Sequence, residues 1–170
     1  MGEPTGPGGS GRAERRGDPC LLVIFGATGD LTRRKLIPSI YNLRCHGLLP
    51  ERFGVVGVRR RPGDDEAFRE EMARALVEFS TGAAARGVAE EFRGLLHAVS
   101  GDLEKVETYH RLAERLEELS SLHGTGGNVL FYLATPPEAF AEIVCHLGAA
   151  GLLRAEGEPW RRVVDRKSVV

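Results

Sequence analysis

Residues 21–35 read LLVIFGATGDLTRRK, and this stretch decides the fold. Its first five residues are apolar, which is typical of a parallel strand buried on both faces. Gly26 and Gly29 follow, and because neither carries a Cβ, the backbone can turn tightly and come close to a ligand. A helix that begins after such a turn directs free amide groups at the gap, where they suit a pyrophosphate. The stretch predicts a dinucleotide site at the first βα turn, although a plain βα turn remains the alternative.

Strands and helices alternate along the rest of the chain. Strand patterns occur at about 20–25, 53–59, 95–99, 129–134 and 161–164. Helical patterns separate most of them, and the longest carries its apolar residues on one face between 106 and 119. This alternation predicts an α/β fold, namely a Rossmann-like doubly wound parallel sheet with helices on both faces. Right-handed crossovers then bring the carboxyl ends of the strands to one edge, where ligands bind.

Several residues predict where helices begin or break. Pro38 lies inside the first helical pattern and predicts a kink, or a restart of the helix near Ile37. Asp64 or Asp65 can cap the second helix, and Asp102 is expected to cap the long one.

Composition bounds the class of protein. The chain has 170 residues and a formal net charge of −1, so no basic field favours nucleic acid or an anionic membrane. No apolar stretch approaches the ~20 residues that cross a bilayer, and no signal peptide is evident. Cys20, Cys45 and Cys145 fit no metal spacing, so free thiols in a reducing cytoplasm are expected. Residues 1–18 are expected to be a disordered tail, residues 19–164 the nucleotide domain, and residues 165–170 an atypical end.

The second strand helps to choose the cofactor. NAD sites usually carry an acidic residue at the end of this strand, which binds the ribose hydroxyls. Here the strand ends in Arg59, Arg60 and Arg61, whose guanidinium groups suit a 2′-phosphate. The pattern favours NADP over NAD. The alternative is that these arginines form a solvated basic turn. Asp64 and Asp65, a few residues after the arginines, weaken the argument for NADP.

Polar residues at the glycine turn have more than one interpretation. The Thr28 hydroxyl can bind a phosphate, and Asp30 is either a helix N-cap or a group on the ligand side. One of Arg33, Arg34 and Lys35 could reach the phosphates, the others being solvated.

Two further strand ends should face the nucleotide. Asp102 and Leu103 follow the third strand, with helix capping as the alternative for Asp102. Tyr132 ends the fourth, which neighbours the first in a doubly wound sheet, with core packing as its alternative. The five histidines have no metal spacing and none lies beside a carboxylate at a strand end, so no catalytic base is assigned.

Several longer segments point to one family. GATGDLTRRKLIPSIYNL, HGLLP, VVGVRRRP, YHRLAERLEEL, NVLFYLATPP and EPWRRVV together resemble the amino-terminal domain of the glucose-6-phosphate dehydrogenase family. That family oxidises the C1 hydroxyl of glucose 6-phosphate and passes hydride to NADP⁺. The resemblance implies a 2′-phosphate arginine at Arg60, a nicotinamide-side tyrosine at Tyr132, and a cofactor-contacting pair at Asp102 and Leu103. It implies a pyrophosphate loop made of Gly26, Ala27, Thr28, Gly29, Asp30, Leu31, Thr32 and Arg33.

The resemblance ends in the last six residues. Lys167 falls in register with a family lysine that helps to hold substrate and cofactor, but the Pro-Phe-Gly that follows it in the family is not present. The family's later segment with the catalytic histidine, and the domain that completes the glucose 6-phosphate site and builds the homo-oligomer, are not present either. We therefore expect a fragment with little turnover alone. One alternative is a non-catalytic NADP-binding module or degenerate paralogue. Another is a short-chain dehydrogenase-like enzyme, but such an enzyme needs a catalytic Tyr-x-x-x-Lys pair, which the chain lacks.

Overall fold

A parallel β-sheet forms the centre of the computed structural model, which describes residues 16–80, 86–153 and 157–165. The five strands within these residues are β1 (Cys20–Phe25), β2 (Phe53–Arg59), β3 (Leu96–Ser100), β4 (Val129–Leu133) and β5 (Arg161–Asp165). Their order is β3-β2-β1-β4-β5. The order reverses between β1 and β4, so the crevice for a ligand lies at the carboxyl ends of these two strands.

Helices cover both faces of the sheet. They are α1 (Ile37–Cys45), α2 (Asp65–Phe79), α3 (Arg86–Gly94), α4 (Val106–His123) and α5 (Phe140–Ala149). A π-helical segment, Thr32–Leu36, precedes α1, and a short 3₁₀ segment, Pro137–Ala139, precedes α5. The predicted Rossmann-like doubly wound α/β fold is confirmed.

The continuous apolar run of β1 serves two cores. Val23 and Phe25 are fully buried against α4 and α5, in a cluster with Leu112. Ile24 points to the other face, where it packs with Phe68 of α2. Successive side chains of a strand alternate between faces, so a strand covered on both sides needs apolar residues at every position. Each such side chain contributes roughly 1.5–3 kcal/mol by its burial.

The outer edge of β3 is closed by side chains of α2. The Ala98 amide donates to Asp65 Oδ1 at 2.9 Å, and Arg69 Nε donates to the Leu96 carbonyl at 2.9 Å. These bonds pair backbone groups that an edge strand would otherwise expose. They also fix α2 beside β2 and β3.

The helix boundaries follow local chemistry, with one correction. The helix restarts at Ile37 as predicted, with Pro38 in the first turn of α1, where its missing N–H costs nothing. Asp64 is the N-cap of α2, and its Oδ1 accepts from the Ala67 amide at 2.9 Å. The prediction that Asp102 caps the long helix is wrong. That helix begins at Val106, its cap position is Lys105, and Val106 is exposed at its start.

Candidate functional site

At the glycine turn after β1, a Cβ on either glycine would crowd the backbone. Gly26 has φ +81°, and a Cβ there would lie 3.1 Å from the Ala134 carbonyl oxygen. The Gly29 amide donates to the Gly26 carbonyl at 3.0 Å, and a Cβ on Gly29 would lie 3.2 Å from that oxygen. The turn is therefore a backbone surface next to the end of β4, as a pyrophosphate cradle requires.

Two residues of the predicted loop hold it from inside. The fully buried Thr32 donates its hydroxyl to the Gly26 carbonyl at 2.9 Å. Ala27 is also fully buried, and its amide donates to the Val58 carbonyl at 3.3 Å. Thr28 and Leu31 are half-buried. Thr32 and Ala27 therefore shape the turn, whereas Thr28 and Leu31 retain exposed surface.

The start of the following helix is wider than an α-helix. The Ile37 amide donates to the Thr32 carbonyl, five residues back. Such π-helical turns are rare and occur often at functional sites. Here the wider turn comes directly before Pro38, which cannot donate an amide to the helix.

Charged side chains at this helix start are already paired. Asp30 Oδ1 lies 2.7 Å from Arg34 Nε, an i,i+4 pair. The cap position of the helical segment is Leu31 and no side-chain cap bond is made there, so the interpretation of Asp30 as a simple N-cap is wrong. The guanidinium of Arg34 also lies over the Phe79 ring at 5.1 Å. Arg33 Nη2 lies 3.9 Å from Glu78 on α2. Arg33 and Arg34 are thus drawn towards α2, and a phosphate would compete with weak, exposed pairs.

A cleft opens between the glycine turn and the end of β4. It has a volume of about 430 Å³ and is lined by residues 29–31 and 134–137. Thr135 lines it, and its hydroxyl oxygen is buried with no hydrogen-bond partner in the part of the chain that the structure describes. Tyr132 pairs in register with Ile24 of β1 and is half-buried, on the face opposite Phe131. The crowded glycine turn and the unpaired Thr135 hydroxyl are both features that fit a bound dinucleotide.

The arginines at the end of β2 divide between core and solvent. Arg59 is only 7% exposed, and its Nη2 lies 3.5 Å from Glu71 of α2. Its Nε and Nη1 have no hydrogen-bond partner among the described residues. Arg60 is 77% exposed, and its Nη2 lies 3.7 Å from Asp102 Oδ1. Of these two, Arg60 is free to meet a 2′-phosphate at the carboxyl edge of the sheet.

The loop after β3 is held by two side chains from the first turn of α4. Thr108 Oγ1 donates to the Asp102 carbonyl at 2.6 Å, and Tyr109 Oη donates to the Leu103 carbonyl at 2.8 Å. Both residues are fully buried. Burial raises the pKa of Tyr109 to about 12, so its hydroxyl keeps its proton and donates. The signal available in the sequence was the two consecutive hydroxyl-bearing residues, Thr108 and Tyr109, in the first turn of the helix.

A histidine pair was also missed, in which the buried His97 lies beside a carboxylate of α2 rather than one at a strand end. His97 Nδ1 lies 2.7 Å from Asp65 Oδ2, and His97 Nε2 lies 2.8 Å from His123 Nε2. The pair lies at the start of β3 and the end of α4, and a Cβ on Gly54, near the start of β2, would lie 2.9 Å from His123. The pair is therefore at the amino end of the strands, away from the cleft, and it has a structural role.

A glycine turn without side-chain room, at the switch point of a doubly wound parallel sheet, defines a dinucleotide-binding α/β protein. The sequence matches the family described as "Glucose-6-phosphate dehydrogenase, NAD binding domain" over residues 23–168. This chain belongs to that family.

Relatives and solved structures agree with this assignment. The chain is 42% identical over 152 residues to a glucose-6-phosphate 1-dehydrogenase of Chlamydia pneumoniae, covering 88% of this chain and 30% of that protein. It is 39% identical over 160 residues to a glucose-6-phosphate 1-dehydrogenase 2 of Mycobacterium bovis, covering 92% and 30%. The crystal structure of the Mycobacterium avium enzyme superposes with a TM-score of 0.72 at 28% identity, covering 88% of this chain and 30% of that one. A glucose-6-phosphate dehydrogenase in complex with its substrate glucose 6-phosphate gives a TM-score of 0.71 at 26% identity, covering 86% and 30%.

The chain spans about 30% of the length of the relatives it matches. Lys167 and the rest of residues 166–170 lie outside the described residues, as do residues 1–15 of the predicted tail. Among the helices that the structure describes, none is long and apolar enough to cross a membrane.

Proposed function

We propose that this chain is the NADP-binding part of a glucose-6-phosphate dehydrogenase, the enzyme that oxidises glucose 6-phosphate to 6-phosphogluconolactone. The observation that carries the proposal is the glycine turn packed against the end of β4, with an exposed arginine at the end of β2. The turn offers backbone amides to a diphosphate, and Arg60 offers a guanidinium to the 2′-phosphate of the adenosine.

The roles of the other residues follow from their places. Thr28 and the other amides of the turn bind the diphosphate, whereas the Ala27 and Gly29 amides are bonded within the protein and, with the Thr32 hydroxyl, keep the turn in shape. Tyr132 and the cleft beside residues 134–137 belong to the nicotinamide side, because β4 lies next to β1 beyond the switch point. When bound, the nicotinamide accepts the hydride from C1 of the sugar. Lys167 is in sequence register with the family lysine that helps to hold sugar and cofactor, and the proposal assigns it that role. The whole enzyme is proposed to be a cytoplasmic homo-oligomer.

The chemistry at the end of β2 supports NADP rather than NAD as the cofactor. NAD sites carry a carboxylate there, which would repel a 2′-phosphate, whereas β2 ends here in Arg59 and is followed by Arg60. A guanidinium binds a phosphate bidentately and is always charged. Since Arg59 is buried against Glu71, the proposal gives the phosphate contact to Arg60.

The test is calorimetric titration of the chain with NADP⁺ and NAD⁺, on the wild type, Arg60→Ala and Arg61→Ala. Loss of Arg60 should weaken NADP⁺ binding by about 1–3 kcal/mol, the value of hydrogen bonds to charged groups, and leave NAD⁺ nearly unchanged. Arg61 is an exposed neighbour of the same charge, and its replacement is the matched control. Equal losses for both nucleotides in Arg60→Ala would reject the assignment.

A further inference from the structure

The carboxylate of Asp102 faces the arginine to which we assign the 2′-phosphate. Arg59 and Ser100 pair in register across β2 and β3, and the Gly101 amide donates to the Arg59 carbonyl at 2.8 Å. The residues that follow these two strands are therefore side by side at the carboxyl edge. Asp102 Oδ1 lies 3.7 Å from Arg60 Nη2. The negative charge is thus next to the place that a 2′-phosphate would take.

Hydrogen bonds from the start of α4 and from its own loop fix the position of Asp102. Thr108 binds its carbonyl, Tyr109 binds the carbonyl of the next residue, and Asp102 Oδ1 itself accepts from the Glu104 amide at 3.1 Å. A Cβ on Gly101 would lie 2.3 Å from Thr108 Oγ1, so the loop can pack this closely only with glycine there. The carboxylate cannot swing away without losing its amide bond, whereas Arg60 is 77% exposed and has a long, mobile side chain.

The pairing of Arg60 with Asp102 differs from the usual pattern by which such sites select NAD or NADP. An NAD site places an acidic residue at the end of β2, where it accepts hydrogen bonds from the ribose hydroxyls. Here an arginine follows β2 and an acidic residue comes from the adjacent loop after β3, so both kinds of group meet at one place. The pair between them is solvent-exposed and screened, with Asp102 40% exposed, so it is weak enough to be exchanged.

We propose that Asp102 sets the cofactor preference of this chain by competing with the 2′-phosphate of NADP⁺ for Arg60, so that NAD⁺ is also accepted. With NADP⁺ bound, the guanidinium leaves the carboxylate for the phosphate. With NAD⁺ bound, the guanidinium stays with the carboxylate, which also accepts from the ribose 2′-hydroxyl. This inference rests on the proposed function, and it adds a residue that lowers the selectivity given by Arg60.

The test is a cycle of variants titrated with NADP⁺ and NAD⁺. Asp102→Asn keeps the shape and the amide bond from Glu104 but removes the charge. It should tighten NADP⁺ binding by about two- to fivefold, the range of an exposed ion pair, and should leave NAD⁺ binding unchanged or slightly weaker. Glu104→Gln removes an equal charge two residues away that has no ion pair with Arg60 among the described residues, and it is the matched control. In an Arg60→Ala background, most of the gain from Asp102→Asn should disappear.

The outcomes separate the two proposals. An unchanged or weaker affinity for NADP⁺ in Asp102→Asn overturns the role of Asp102 while leaving the proposed function intact. An equal gain in NADP⁺ affinity in Glu104→Gln also overturns the role of Asp102, because the effect would then come from net charge alone. A gain from Asp102→Asn that persists fully in the Arg60→Ala background overturns it as well. A folded wild type that binds neither nucleotide overturns both proposals.

Discussion

His97 Nδ1 donates to Asp65 Oδ2 at 2.7 Å, although the two residues are 32 positions apart in the chain. Asp65 also accepts from the Ala98 amide and lies 2.7 Å from Arg115 of α4, and Arg69 of α2 lies nearby at 3.8 Å. His97 Nε2 contacts His123 of α4. One carboxylate therefore ties α2, β3 and α4 together at the edge of the sheet.

This cluster should make stability depend on pH. Burial lowers the pKa of His97 and His123, and for His97 it outweighs the opposing effect of Asp65. For Asp65, burial alone would raise the pKa, but the Ala98 amide, His97 and Arg115 together lower it. The unfolded histidines thus bind protons at a higher pH than the folded ones. The free energy of unfolding should be largest above the ordinary histidine pKa of about 6.5 and fall as the pH drops below it, with Asp65 adding a further loss at more acidic pH.

Urea unfolding at a series of pH values from 8 to 5 measures this effect. His97→Gln should flatten the pH dependence, because a neutral amide replaces one of the two imidazoles. His110→Gln is the control, since His110 is exposed on the same helix as His123. An unchanged slope in His97→Gln, or stability that rises below pH 6.5 in the wild type, would contradict the account.

Gly26→Ala should damage both the turn and nucleotide binding. The left-handed φ of +81° costs a side-chain-bearing residue about 1–2 kcal/mol, and the added Cβ would press on the Ala134 carbonyl at 3.1 Å. Urea unfolding and a titration with NADP⁺ measure the two effects. Gly148→Ala is the control, because a Cβ there meets nothing within 4 Å and lies in α5, so about 0.5–1 kcal/mol of added stability is expected. If Gly26→Ala bound NADP⁺ as the wild type does, the cradle would not be at this turn.

Tyr109→Phe should loosen the loop that carries Asp102. The substitution removes the bond to the Leu103 carbonyl but keeps the ring between Phe25 and His146, whose centroids are 6.1 and 4.9 Å away. We expect a loss of about 0.5–1.5 kcal/mol in stability. Amide hydrogen exchange should speed up at residues 101–105 more than in the strands. Equal acceleration throughout the sheet would show that Tyr109 acts only as a core residue.

The sequence predicts best what depends on neighbouring residues. The apolar run of β1, the glycine turn and the restart at Ile37 are set by sterics within a few positions, and the structure has all three. The position of β4 next to β1 was predicted from the general strand order of doubly wound sheets. The preference for NADP also rests on local chemistry at one strand end, and it stays a prediction.

Contacts between distant segments could not be read in the same way. Nothing near His97 indicates Asp65, since their meeting depends on how α2 packs over the edge of β3. A capping rule recognised Asp102, but Asp102 lies four positions before the first residue of α4, and its side chain closes a turn on Glu104 instead. The difference between Arg59 and Arg60 depends on where the strand ends, because Arg59 is the last residue of a strand that is buried throughout, whereas Arg60 lies beyond it.

The central claim is that the turn at residues 26–31 holds the diphosphate of NADP⁺ while Arg60 holds its 2′-phosphate. The most direct test is a titration of the ¹⁵N-labelled chain with NADP⁺, followed by amide chemical shifts in two-dimensional NMR. The account predicts that the largest shifts occur at Gly26, Gly29 and Leu31, and that NADP⁺ but not NAD⁺ shifts Arg60 strongly. Shifts that spare residues 26–31, or a folded chain with no shifts at millimolar NADP⁺, would contradict it.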